Sequence, residues 1–114
     1  VPSDQPAQRF QDILENIEKI KSHTKRLDSL DSFARDDLRR DAVERCFSRI
    51  SEAAVKLDKL AEQMAPDIRG IGNILRHAYD GVDAGVLWDA IKTELPPLKA
   101  ACEKALANMA DRNA

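Results

Sequence analysis

One stretch of this 114-residue chain gathers side chains that can move protons and bind anions. When Ile68 to Val82 is placed on a helical wheel, Ile68, Ile71, Leu75, Ala78 and Val82 share a narrow apolar arc. Arg69, Asn73, Arg76, His77 and Asp80 lie together on the far side, within about 100° of arc. Arg69, Asn73 and His77 follow at i, i+4 and i+8, so their side chains line up along the axis. A neutral imidazole near its ordinary pKa can take a proton from a ribose 2′-hydroxyl or return one to a leaving oxygen. A guanidinium can stabilise charge that builds on phosphorus-bound oxygens. Chemistry at a phosphodiester would use this set, and neither step requires a metal. A solvated helix face with a surface histidine is the competing explanation of the same residues.

Other chemistries fit the sequence less well. Zinc needs four ligands, yet His23, Cys46, His77 and Cys102 are scattered without ligand spacing. Ile20 and Ile74, rather than Glu, stand three residues before the two histidines, which excludes a di-iron carboxylate bundle. No phosphate-binding Gly-rich loop, nucleophile elbow or haem-attachment motif is present. Gly70 and Gly72 form a Gly-x-Gly with no preceding strand, which suits close helix packing better than a nucleotide. No cofactor and no metal site are therefore expected.

The elements that must position this face are helical. Charged residues make up 33% of the chain and aromatics only 4%, a balance that favours helices over a β-sandwich. At this length one domain over residues 1–114 with one core is expected. The first helix should run from about Gln5 to Leu27, with Phe10, Ile13, Leu14, Ile17, Ile20, Thr24 and Leu27 as its buried stripe. Asp28 to Asp31 reads as a polar turn. A second helix, from about Ser32 to Met64, would bury Val43, Cys46, Phe47, Ile50, Ala54, Leu57, Ala61 and Met64. Unbroken it would extend ~45 Å, so either a bend near Asp36-Asp37 or an end that meets another subunit is expected. Pro66 stops that helix, Asp67 caps a third from about Ile68 to Asp80, and Asp83 caps a fourth holding Val86, Leu87, Trp88 and Ile91. Pro96-Pro97 kinks or restarts the chain before a last stripe of Leu98, Cys102, Leu106 and Met109. The fold class is an all-α antiparallel bundle of four to five helices.

A net charge of −2 excludes a strongly cationic coat, but bases are concentrated in the first half. Arg45, Arg49, Lys56 and Lys59 share the outward face of the second helix with Glu52, where an RNA-backbone track competes with an ordinary solvated face. Cys46 and Cys102 occupy apolar helical positions and read as reduced core thiols of a cytoplasmic protein. No apolar run approaches membrane-spanning length, and no leader pattern is visible.

The run Ile68-Arg69-Gly70-Ile71-Gly72-Asn73-Ile74-Leu75-Arg76-His77-Ala78-Tyr79-Asp80 resembles the signature of the HepT-like family in the HEPN superfamily. Ser51-Glu52-Ala53-Ala54, Asp83, Trp88 and Leu95-Pro96 followed by Leu98 extend the resemblance over nearly the whole chain. It implies a small helical bundle that dimerises, and a toxin that cleaves RNA without metal. It also implies a partner, a minimal nucleotidyltransferase acting as antitoxin, which attaches AMP to the tyrosine matching Tyr79. The family's motif is an Arg, four to six residues, then His, with Asn after the Arg and Tyr two beyond the His. Asn73, His77 and Tyr79 match it, whereas Gly72 stands at the position four intervening residues before His77.

Three functional readings follow. In the first, His77 is acid or base of an endoribonuclease toxin, Arg69 or Arg76 clamps the anion, and Arg45, Arg49 and Asp80 contact substrate. Arg69 and His77 are about 12 Å apart along a helix axis, so a dimer that brings Arg69 or Arg76 to the partner's imidazole would assist. In the second, favoured by Gly72, the same face only binds RNA, a nucleotide or the partner enzyme. The third is a histidine phosphotransfer domain, but Asp80 stands where such domains carry a Lys, and an acid there repels a phosphoryl group. Tyr79 points about 160° from His77 on the helix and is otherwise a core-edge residue.

Overall fold

Apolar residues three and four apart give α1 (Pro6–Thr24) a stripe of Phe10, Ile13, Ile17 and Ile20, all fully buried. The computed structural model describes residues 6–57 and 83–113. Within them α1 is followed by α2 (Leu30–Arg35), α3 (Asp37–Lys56), α4 (Ala84–Thr93) and α5 (Leu95–Asn113), an all-α bundle as expected. α1 ends at Thr24, earlier than the expected Leu27, where the Thr24 hydroxyl donates to the Ile20 carbonyl at 2.8 Å. Ile20's carbonyl is also the i−4 acceptor of the Thr24 N–H, so the hydroxyl adds a second bond to it in the last turn.

The connection lies earlier than expected, over residues 25–29, because α1 ends at Thr24 and Ser29 caps an α2 that begins at Leu30. Ser29 accepts from the Ser32 N–H at 3.1 Å, and the Ser32 hydroxyl returns the bond to the Ser29 N–H, forming a capping box. The long second helix divides at Asp36, the bend foreseen there. Asp36 donates its N–H to the Phe33 carbonyl at 3.2 Å, ending α2, and accepts from the Arg39 N–H at 3.0 Å, starting α3. Asp37 follows in the first turn, where a negative charge suits the helix dipole.

α1 packs chiefly on α3 and runs antiparallel to it. Arg39 Nη1 donates to the His23 carbonyl at 2.9 Å, joining the end of α1 to the start of α3. α3 buries Val43, Cys46, Phe47, Ile50 and Ala53, so Ala53 takes the core position that the sequence assigned to Ala54, which is half-buried. α5 also packs on α1 and contributes Leu95, Leu98, Cys102 and Ala105 to the same core. α4 packs on α2 and α5. There the rings of Phe33 and Trp88 stack with centroids 5.3 Å apart, and Lys92 Nζ sits 4.8 Å from the Trp88 ring.

Pro96 and Pro97 restart the chain as a helix rather than kink one. Both lie in the first turn of α5, where their missing N–H groups would have had no partner. Glu94 bridges the two helices: its N–H donates to the Ala90 carbonyl at 2.9 Å, and its carbonyl accepts from the Leu98 N–H at 3.2 Å. No helix among the described residues is long and apolar enough to cross a membrane.

Candidate functional site

The helix face that the sequence singles out, Arg69, Asn73, Arg76, His77 and Asp80, lies outside the described residues, as do Gly72 and Tyr79. Lys59 also falls there. The bundle holds both flanks of that segment. Leu57, fully buried, closes α3 with its N–H on the Ala53 and Ala54 carbonyls. Asp83 opens α4, its carboxylate accepting from the Gly85 N–H at 2.7 Å.

The two remaining candidates, Arg45 and Arg49, sit exposed on α3. The structure separates their positions. Arg49 lines an open groove of about 260 Å³ between α1 and α3, whereas Arg45 is outside its lining. Glu52 and Lys56, from the same outward face of α3, line the groove beside Arg49. α1 forms the opposite wall with Arg9, Asp12, Glu15, Asn16 and Lys19.

The charges of the α1 wall are neutralised along its own helix. Arg9 Nη1 lies 3.5 Å from Asp12 and Lys19 Nζ lies 3.4 Å from Glu15. Arg49 and Lys56 make no ion pair within the described residues, with Glu52 standing between them in sequence at i+3 and i−4. The α3 wall thus presents cation, acid and cation along one line.

Asn16 lies at the base of the groove with only 5% of its surface exposed. Its Nδ2 donates to the Asp12 carbonyl at 2.8 Å, which fixes the amide, because that carbonyl can only accept. The Oδ1 is buried with no hydrogen-bond partner. Arg9 Nε and Ser51 Oγ are the other buried side-chain atoms without a partner among the described residues. Two of these three atoms belong to groove residues. Each such group costs about 1–3 kcal/mol if nothing bonds to it, and native proteins keep few of them. The α1 wall was not anticipated from the sequence. Asn16 was its available signal, a polar residue set between Ile13, Ile17 and Ile20 on the buried side of the helix.

The thiols behave as core residues. Burial pushes the Cys46 thiol up, against the opposing pull of the Arg49 and Lys19 charges, and pushes Cys102 up to about 12. Both are free and buried. Among the described residues no three His, Cys, Asp or Glu side chains form a metal-holding group.

Comparison with known proteins identifies the class. Residues 13–105 match the family described as Ribonuclease HepT-like, a span that includes α1 from Ile13, the segment with His77, and α5 to Ala105. The chain belongs to this family, and its helical architecture fits the HEPN superfamily. It is 31% identical over 103 residues to a Methanocaldococcus jannaschii protein provisionally named RNase MJ1216, covering 86% of this chain and 84% of that protein. A Thermococcus cleftensis protein, provisionally named ribonuclease HepT, is 34% identical over 100 residues, 83% of this chain and 90% of that one. No solved structure gives a significant match.

Proposed function

We propose that this chain is a metal-independent endoribonuclease, the toxin of a pair whose antitoxin is a minimal nucleotidyltransferase. The observation that carries the reading is the family match over residues 13–105, whose span contains Asn73, His77 and Tyr79. In this mechanism His77 takes the proton of a ribose 2′-hydroxyl, and the 2′-oxygen attacks the adjacent phosphorus. The bond to the 5′-oxygen breaks, that oxygen regains a proton from an imidazolium, and the products are a 2′,3′-cyclic phosphate and a 5′-hydroxyl. Arg69 or Arg76 stabilises the charge on the non-bridging oxygens, Asn73 and Asp80 orient the substrate, and Arg45 and Arg49 bear the strand. The active species is a homodimer in the cytoplasm, where the two buried thiols of the bundle stay reduced. The antitoxin silences it by attaching AMP to Tyr79, which adds bulk and negative charge near the RNA-binding face.

The test is incubation of the purified chain with RNA in EDTA, followed by analysis of the product ends. Cyclic phosphate and 5′-hydroxyl ends are expected, and 5′-phosphate ends would contradict the proton path. A second reading rests on Gly72, which stands at an arginine position of the family's motif. There the chain binds RNA or the partner enzyme without cutting. RNA binding with no product in EDTA, unchanged by added divalent metal, would select it. The phosphotransfer alternative has no finding in its favour.

A further inference from the structure

No further inference is drawn: the strongest candidate, the exposed apolar patch of Leu30 and Val86 where α2 meets α4, carries nothing because no feature of the described residues shows what covers it.

Discussion

Asn16→Leu should make this protein more stable. Asparagine and leucine branch alike at Cγ and have the same number of non-hydrogen side-chain atoms, so the substitution adds only the extra bulk of two methyl groups to the seam between α1 and α3. It removes the Nδ2 bond to the Asp12 carbonyl, a loss of about 1 kcal/mol. That carbonyl is not orphaned, because it remains in the α1 backbone ladder as the i−4 acceptor of residue 16. The substitution also removes a buried Oδ1 that has no partner, a gain of about 1–3 kcal/mol. Leucine at a site only 5% exposed adds apolar burial as well. The balance is a stabilisation of about 1–2 kcal/mol, or about 4–8 °C in thermal midpoint for a domain of this size. Urea unfolding followed by far-ultraviolet circular dichroism, at matched protein concentrations, measures it. Destabilisation by about 1 kcal/mol or more would refute the reasoning, since it would mean that Oδ1 is already satisfied in the free protein.

Three other predictions follow from the bundle. Asp36→Ala removes the carboxylate that starts α3 and should cost about 1 kcal/mol, read as a lower urea midpoint with an unchanged slope. Glu18 is held below its ordinary pKa of 4.5 by the Lys99 hydrogen bond and the Lys21 charge. Its folded pKa is depressed, so its contribution is present above pH 4.5 and is lost as pH falls through the folded value; Lys99→Ala should flatten the stability profile in that acid window. Cys46 and Cys102 should resist a thiol reagent at neutral pH in the native protein and react together on unfolding, whereas fast labelling of either would contradict their burial.

Much of the bundle is visible in the sequence because its signals are local. The stripe of Phe10, Ile13, Ile17 and Ile20 follows helical period, and the adjacent acids Asp36-Asp37 mark the break that the length of the second helix demanded. Less local features escaped. Phe33 is fully buried against Trp88, but six residues of α2 are too few to display a period. Ser29 caps α2 with Ser32 as its return partner, where the usual sequence signature has Glu or Gln. Ala53 replaced Ala54 in the core because a one-residue rotation of α3 is invisible between two alanines. In the candidate site, Arg49 was found from its place on the outward face of α3. The α1 wall was not, since Arg9 and Asn16 acquire meaning only when α3 lies across them.

The measurement that bears most directly on the central claim is RNA cleavage by the wild type and His77→Ala, side by side in EDTA, across a pH series. General acid–base catalysis typically contributes 10²–10⁴-fold, so the substitution should lower the rate by roughly a hundredfold or more, with binding of 2′-O-methyl RNA retained. The wild-type rate should follow a bell centred near the histidine range. Wild-type cleavage that survives the substitution, or that appears only when divalent metal is added, would contradict the account.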